Sequence, residues 1–331
     1  IKPTSQQFAY HITGINRRVD NTLSVMIHDN RLFSGKFDEN NSLRIILREV
    51  LNKHPEFHSL LLGYANGDFI EVVNLRGHAQ LPKPNDLRAE DRWLIFKVLG
   101  QGESRHQTTY YLDENLSLNR KYKQTPDYDP RKRLWFNDAK VGTVTKTQQY
   151  IFNLLKIPGY TYTIKSEQTG GVLAIDVASS SLSAFLIKQQ QKMQFLVSSE
   201  MYVYRGDGEI IAKSKTQGHH HSFDDLSKII KTNEQTIGLA NGQHQFGKML
   251  SVNEDGVEKY MFVLQLPLSS EMQSDEIDYF AVLVAKNDVL AIIKEKIQIS
   301  ILVTGLCLLL LLPVSWFFAS SIVNPILKLV G

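Results

Sequence analysis

The sequence predicts an α+β fold: a long N-terminal stalk helix, two modules with antiparallel sheets, and a C-terminal transmembrane helix. Three observations support this prediction. Near the N-terminus, apolar residues recur at spacings of three and four, which place them on one face of a helix. Short apolar runs separated by turn residues then occur in two successive regions, as is typical of paired strands. A long uncharged apolar stretch follows near the C-terminus.

The first helix is predicted over residues 5–33, within an N-terminal segment of residues 1–37. Its apolar stripe consists of Phe8, Ile12, Ile15, Val19, Leu23, Met26 and Ile27. Because this stripe is narrow and close to heptad spacing, it favours a stalk helix that forms a dimer interface. An ordinary core helix is the alternative. A second helix over residues 42–53 should end before Pro55, since the residue before a proline disfavours helical angles.

The first module is predicted over residues 38–191. Apolar runs at 57–64 and 69–74 flank the turn residues Asn66-Gly67-Asp68, and this arrangement predicts a β-hairpin. Further strands are predicted over residues 93–99, 107–112, 117–122, 160–167 and 172–177, and a helix over residues 180–191.

A shorter version of the same pattern predicts a second module over residues 192–286. Strands are predicted over residues 195–204, 209–213, 244–251, 258–267 and 279–286, and a helix over residues 223–233. Both modules combine paired strands with a helix, which indicates a structural repeat of α+β units. The second module comes directly before the apolar stretch and is therefore expected to lie closer to the membrane.

A membrane helix is predicted over residues 297–319, after an exit helix over residues 287–296. No charged residue occurs between Lys296 and Lys328, and an uncharged apolar stretch longer than about 18 residues can cross a bilayer. The aromatic run 316–318 is typical of a membrane interface. A buried core helix is the alternative.

Composition argues against several functions. The formal net charge is +3 and no basic stripe interleaves with aromatic residues, so nucleic acid is not an expected partner. Cys307 is the single cysteine, so the rest of the chain has neither a disulfide framework nor a cysteine nucleophile. No HExxH, phosphate-loop or GxSxG motif occurs, and no catalytic residue or cofactor is predicted. The run His219-His220-His221 is interpreted as a solvated loop, because three consecutive histidines cannot all face one metal ion.

One run in the first module places basic and aromatic side chains just behind a turn: Tyr128-Asp129-Pro130-Arg131-Lys132-Arg133-Leu134-Trp135-Phe136. Arginine offers a planar fork for a carboxylate, and an aromatic face attracts a cation. Together these groups suit a small zwitterion. Alternatively, Trp135 and Phe136 belong to the core, Arg133 caps a helix or pairs with Asp138, and Asp176 satisfies backbone groups near the next helix.

The residues from Asp129 to Phe136 resemble the DPRxRPWY signature of extracytoplasmic double Cache sensor domains. The order of a long helix, a larger distal module, a smaller proximal module and a membrane helix is similar to that family from about Ser5 onward. The resemblance implies that both modules are PAS-like. After the span, Asn324-Pro325 and its apolar neighbours resemble the first helix of a HAMP signalling module, which residues 320–331 are expected to begin.

The resemblance also implies a ligand site in the distal module. In double Cache domains that bind amino acids or amines, the arginine and tryptophan region holds the ligand carboxylate, while tyrosines and an aspartate hold the ammonium. The matching residues here are Tyr128, Arg133, Trp135, Phe136, Tyr150 and Asp176. The chain departs from the pattern at Phe136, which replaces a tyrosine, and at Leu134, which replaces a proline.

Together, these observations predict the ligand-sensing input segment of a bacterial transmembrane receptor, anchored in the inner membrane with its sensor domain outside the cytoplasm. The expected partners are an amino acid or amine, membrane lipid, and a second copy of the chain joined through the stalk and membrane helices. The segment is not expected to be an enzyme. It is interpreted as part of a longer protein whose output is an HD-GYP phosphodiesterase, a cyclase, a histidine kinase or a chemotaxis domain. A membrane-anchored exported hydrolase or an adhesion module is the alternative.

Overall fold

Two antiparallel sheets and five helices organise the part of the chain that the computed structural model describes, namely residues 2–33, 42–76, 87–192, 199–205, 210–214, 249–254, 257–266 and 278–330. The helices are α1 (Lys2–Met26), α2 (Ser42–Lys53), α3 (Leu134–Asn137), α4 (Ser179–Lys192) and α5 (Lys286–Val330). The predicted helix at 223–233 and the histidine run at 219–221 lie outside the described residues.

The larger sheet has the strand order β5-β4-β3-β2-β1-β9-β8-β6, with β7 also paired to β8. Its strands are β1 (Ser59–Gly63), β2 (Phe69–Asn74), β3 (Trp93–Leu99), β4 (His106–Leu112), β5 (Leu118–Gln124), β6 (Thr145–Lys146), β7 (Tyr150–Ile151), β8 (Pro158–Lys165) and β9 (Val172–Ala178). The predicted hairpin is β1 and β2, and the register pairs Leu61 with Glu71. The two-residue strands β6 and β7 had no signal in the sequence, because a run of two residues has no periodicity.

The smaller sheet has the strand order β11-β10-β14-β13-β12. Its strands are β10 (Glu200–Arg205), β11 (Ile210–Lys213), β12 (Met249–Glu254), β13 (Val257–Gln265) and β14 (Asp278–Ala285). The strands predicted over 195–204 and 244–251 extend at their N-terminal ends into residues that the structure does not describe. The α+β fold with antiparallel sheets is thus confirmed, whereas the boundaries of the two modules stay a prediction.

The two faces of the larger sheet have different partners. On one face, Leu60, Leu62 and Ile175 join a core that includes residues of α1, α2 and α4. The same core continues into the smaller sheet through residues such as Phe280. On the other face, Leu61 and its neighbours pack against Tyr128, Trp135 and other residues that follow β5. Alternation along each strand therefore sends neighbouring side chains to opposite sides of the sheet.

The apolar stripe of α1 lies in the core of the chain. Ile12, Ile15, Val19 and Leu23 are all buried, and they belong to the cluster that covers the larger sheet. This corrects the expectation of a dimer interface along these turns and supports the alternative of a core helix. Spacing alone cannot separate the two, because a helix on a sheet and a helix in a coiled coil both bury one narrow face. Homodimer formation stays a prediction.

Helix α5 runs without interruption for 45 residues, so the exit helix, the membrane helix and the start of the following segment form one element. Within residues 286–318, the most apolar 18-residue window has a mean hydropathy of 2.4, and none of that window is buried. A helix of this length and composition is able to cross a membrane. The exposure of its apolar side chains argues against the alternative of a buried core helix.

A buried ion pair joins the two sheets. Lys146 of β6 donates to the carboxylate of Asp278 at the start of β14, and the two side chains are 7% and 13% exposed. The ammonium of Lys146 also lies 4.1 Å from the ring centroid of Tyr160. Nearby, the Tyr162 hydroxyl donates to Asn16 Oδ1 of α1 at 2.8 Å.

Replacing Asp278 by asparagine should destabilise the protein by about 3 kcal/mol, because it leaves the ammonium of Lys146 buried without its carboxylate. Chemical denaturation followed by circular dichroism measures this change. The matched control is Glu258→Gln, which removes one partner of the more exposed Lys286–Glu258 pair and should leave the free energy of unfolding nearly unchanged. Equal effects of the two substitutions would contradict a structural role for the buried pair.

Candidate functional site

The first half of the Tyr128–Phe136 run is a scaffold. Asp129 caps a 3-10 turn over Pro130–Lys132 and accepts a hydrogen bond from the Arg131 backbone. The Arg131 guanidinium returns to the Asp129 carboxylate at 2.8 Å, and this contact lowers the pKa of Asp129. The guanidinium also lies over Gly67, where φ is +90° and an added Cβ would come within 2.8 Å of it. Asp129 and Arg131 therefore shape the loop.

The second half of the run anchors helix α3 on the larger sheet. Trp135 is 1% exposed, and its Nε1 donates to the Tyr128 hydroxyl at 3.1 Å. Phe136 packs edge-on against Trp135, with ring centroids 5.7 Å apart. Both rings approach Gly63 of β1 so closely that an added Cβ would lie 2.7 Å from Trp135 and 2.8 Å from Phe136. The glycine therefore sets how closely α3 approaches the sheet.

A cavity of about 170 Å³ lies between this anchored segment and the sheet. Its lining comes from β1, β2, β3 and β9 on one side and from the chain between Tyr128 and Leu154 on the other. The lining residues are Leu61, Glu71, Phe96, Tyr128, Lys132, Arg133, Leu134, Trp135, Tyr150, Ile151, Phe152, Asn153, Leu154 and Asp176.

Five of the six residues predicted for the site meet in this cavity: Tyr128, Arg133, Trp135, Tyr150 and Asp176. The sixth, Phe136, does not line it and instead supports Trp135 from behind. Trp135 agrees with both interpretations of the sequence, as a core residue and as a site residue. It is a core aromatic that also forms part of the cavity wall. The ligand-binding roles of all six residues stay predictions.

Asp176 is held at the acidic part of the cavity by two hydroxyl groups. Thr161 donates to its Oδ1 at 2.5 Å, and Ser59 donates to its Oδ2 at 3.1 Å. Since the single hydroxyl hydrogen of Thr161 goes to Asp176, the Tyr150 hydroxyl, 2.6 Å away, donates to Thr161. The Tyr150 oxygen therefore keeps its lone pairs for an incoming donor.

Glu71 is a second buried carboxyl in the cavity, and the sequence analysis missed it. It is 7% exposed, and it lies near Asp176 and the same Ser59 hydroxyl. A signal was present, because Glu71 is the one charged residue among the apolar residues Phe69, Ile70, Val72 and Val73. A buried acid in such a strand requires a partner or a proton.

Burial raises the pKa of both carboxyls. The pKa of Asp176 rises to about 7, and hydrogen bonds from Thr161 and Ser59 partly oppose this rise. The pKa of Glu71 rises to about 8, mainly through burial and then through repulsion from Asp176. Burial also raises the pKa values of Tyr128 and Tyr150, so both phenols are neutral at physiological pH.

The basic part of the cavity is formed by Arg133. Its guanidinium carbon lies 4.6 Å from the ring centroid of Tyr128, and its Nη2 donates to Asn153 Oδ1 at 3.4 Å. The Nε of Arg133 is buried and has no hydrogen-bond partner among the described residues. Lys132, which is exposed, lies at the rim. Arg133 thus combines a fixed position with unused donor capacity.

The described part of the chain contains no cluster of His, Cys, Asp or Glu that could hold a metal ion. The cavity instead combines a guanidinium, neutral phenols and two carboxyls with aromatic and aliphatic walls. Such a site can hold a small polar molecule that carries both a positive and a negative group.

No protein-family model and no curated protein matches the sequence. Among solved structures, the extracellular domain of the proposed histidine kinase soHK1S-Z6 is similar at 17% identity, with a TM-score of 0.50, over 88% of this chain and 94% of that one. The ligand-binding domain of the Campylobacter jejuni chemoreceptor Tlp3, solved with 4-methylisoleucine, has 12% identity and a TM-score of 0.47 over 86% of each chain.

The ligand-binding domain of the Pseudomonas aeruginosa amino acid chemoreceptor PctB, solved with L-Gln, has 17% identity and a TM-score of 0.46 over 87% of this chain and 89% of that one. At these identities the likenesses concern the fold alone. The likeness to soHK1S-Z6 confirms the predicted fold, an α+β fold of the Cache type with antiparallel sheets.

The acid pair predicts how stability depends on pH. The folded pKa values of Asp176 and Glu71 lie above their ordinary values of 3.8 and 4.5, so between about pH 4.5 and 8 the folded state binds more protons than the unfolded state. The free energy of unfolding should therefore fall as pH rises through this window, by roughly 1 kcal/mol per pH unit.

Denaturant unfolding at pH 5, 6, 7 and 8 measures this slope. The Glu71→Gln variant, which cannot ionise at this position, should show a shallower decrease than the original protein. Parallel curves for the two proteins would contradict a raised pKa at Glu71.

Proposed function

We propose that this chain is the extracytoplasmic sensing segment of a bacterial transmembrane signalling receptor, and that its ligand is an amino acid or a related amine. One observation carries the proposal: a buried guanidinium donor and a buried acid pair line the same cavity without neutralising each other. Among the described residues, no hydrogen bond or ion pair joins Arg133 to Asp176 or Glu71. A zwitterionic ligand satisfies both charges at once.

The ligand carboxylate is assigned to Arg133. Its Nε is buried, so an unpaired donor there has a cost that a carboxylate removes. The guanidinium also has a planar fork that suits two oxygens. Leu134 stands where related domains carry proline, but Asp129 and Arg131 still fix the turn in front of Arg133.

The ligand ammonium is assigned to Asp176, with Tyr150 beside it. A buried carboxylate attracts a cation more strongly than an exposed one, because less water screens the interaction. The neutral phenol of Tyr150 adds an acceptor oxygen and an aromatic wall. The missing hydroxyl at Phe136 should have little effect on the binding of the ligand ammonium, since the Phe136 ring supports Trp135 from outside the cavity.

Signal transfer is proposed to start at strand β9. Asp176 lies on β9, and the next strands of the same sheet contact α1 and the smaller sheet. Strand β14 of the smaller sheet ends at Ala285 and continues directly into α5 at Lys286. Ligand binding would shift an equilibrium between two packings of these elements, and a difference of about 1–3 kcal/mol between states is enough for signalling.

Further parts of the proposal concern the whole receptor. We assign α5 to the inner membrane and its C-terminal end to the start of a HAMP module, which passes the signal to a cytoplasmic output domain. A chemotaxis domain, a histidine kinase, a cyclase and an HD-GYP phosphodiesterase are the candidate outputs. The sensing segment itself is proposed to lack enzymatic activity and to act as a dimer.

A ligand panel tests the proposal. The 331-residue chain in lipid nanodiscs should gain thermal stability with at least one of the standard L-amino acids or short amines, because binding to the folded state alone stabilises it. Arg133→Ala and Asp176→Asn should each weaken that binding by about tenfold or more, since each removes a charge-assisted hydrogen bond.

The matched control is Arg31→Ala. Arg31 is 59% exposed, pairs with Asp29 and does not line the cavity, so its removal should leave affinity unchanged. A panel without any thermal shift would contradict the proposed function. Unchanged binding in both cavity variants would contradict the assigned site.

A further inference from the structure

Glu71 and Asp176 form an acid pair on adjacent parts of one sheet face. In the register, Glu71 of β2 lies opposite Leu61 of β1, and Ser59, two residues before Leu61, lies opposite Asp176 of β9. Residues two apart on a strand point to the same face. The two carboxyls therefore flank β1 on the cavity side, with the Ser59 hydroxyl near both.

Hydrogen-bond counting shows that this pair is incomplete as an ionised site. Ser59 has a single hydroxyl hydrogen, which it donates to Asp176, so it cannot donate to Glu71 at the same time. The two carboxyls can then either share a proton or receive donors from a third group. Both residues line the cavity, which is where the proposed ligand binds.

In the described part of the chain, the charged and titratable groups around Glu71 do not include a partner cation. Strand β9 contributes Asp176, and the segment that covers the cavity contributes Tyr128, Tyr150 and Arg133, whose side chain donates a hydrogen bond to Asn153. On the neighbouring strand β3, the residue opposite Glu71 is Phe96. Burial, and then the charge of Glu71, raise the pKa of Tyr128, but among the described residues no basic group is a cause of the pKa shift of Glu71 itself.

We propose that Glu71 is the second carboxylate of the ammonium subsite and selects ligands with a primary ammonium group over their N-methylated counterparts. This inference rests on the proposed function and narrows its ligand class. A primary ammonium has three N–H donors, enough for Glu71, Asp176 and the Tyr150 oxygen. Each methyl group removes one donor and adds volume next to a buried carboxylate, which then stays unsatisfied.

The two carboxyls also make binding release protons. The ligand-free acid pair holds a proton near neutral pH, because two carboxylates close together do not both ionise readily. An incoming ammonium takes the place of that proton. Ligand binding should therefore strengthen as pH rises from about 6 to 8, as long as the ligand amine stays protonated.

The test uses the full chain in nanodiscs and isothermal titration with the standard L-amino acids, each beside its N-methyl derivative. For any amino acid that binds, N-methylation should weaken affinity by about tenfold to a hundredfold. L-proline, whose ammonium is secondary, should bind weakly or not at all. Titration in two buffers of different ionisation enthalpy should show proton release at pH 6.5.

The variant Glu71→Gln should weaken binding of the primary amine by about tenfold. It should also bring the ratio between the affinities for an amino acid and its N-methyl derivative close to one, and it should reduce proton release. Glu71→Asp, which retains the charge, should partly restore the preference. Glu103→Gln, at an exposed glutamate outside the cavity, is the matched control and should change none of these readouts.

The inference is overturned if the original protein binds an amino acid and its N-methyl derivative equally, or if Glu71→Gln binds while retaining the full preference. In either case the proposed function still stands, because an amino acid binds. If no amino acid or short amine binds the original protein, both proposals fail. The comparison on the original protein needs no variant, so poor folding of Glu71→Gln leaves the inference testable.

Discussion

The burial of two carboxyl groups on one face of the larger sheet is the constraint on which the site depends. Asp176 and Glu71 lie among Leu61, Phe96 and Trp135, where an unpaired charge is costly. Hydrogen bonds from the Ser59 and Thr161 hydroxyls to Asp176 offset only part of this free-energy cost. Near neutral pH, protonation of the acid pair lowers the remaining cost. The sheet therefore presents a surface that favours a cation before any ligand arrives, which is how pre-organisation reduces the cost of binding.

The signature run divides its tasks between neighbouring residues. Asp129 and Arg131 close the loop, Trp135 anchors it, and the charged residues Arg133 and Lys132 line the cavity, with Lys132 at the rim. This division explains why such a run identifies a kind of domain better than it identifies a ligand. Most of its residues serve packing, including the approach to Gly63 that fixes the height of α3 above the sheet. Under the proposals made above, the ligand class depends more on residues outside the run, above all on Glu71.

Sequence reasoning succeeded where local patterns determine structure. The turn at 66–68 between two apolar runs defined the β1–β2 hairpin, and the uncharged stretch after Lys296 defined the apolar part of α5. It failed where tertiary context decides. The stripe of α1 has the same spacing for a dimer interface as for a sheet contact, and Tyr150 lies on a two-residue strand without periodicity. Glu71 was missed because no motif contains it, although its place in an apolar strand was a visible signal.

Strand alternation connects the cavity to the rest of the molecule. On β9, Asp176 faces the cavity, while its neighbours Ile175 and Val177 face the core that contains α1 and Phe280 of β14. A close-packed core resists gradual deformation, so a displacement of β9 is met by repacking along this continuous cluster. The Lys146–Asp278 pair ties the two sheets at the point where β14 begins, and β14 ends where α5 begins. Under the proposed function, a ligand that binds two packings of this core unequally would act on α5, and unequal affinity is the condition that any such coupling must satisfy.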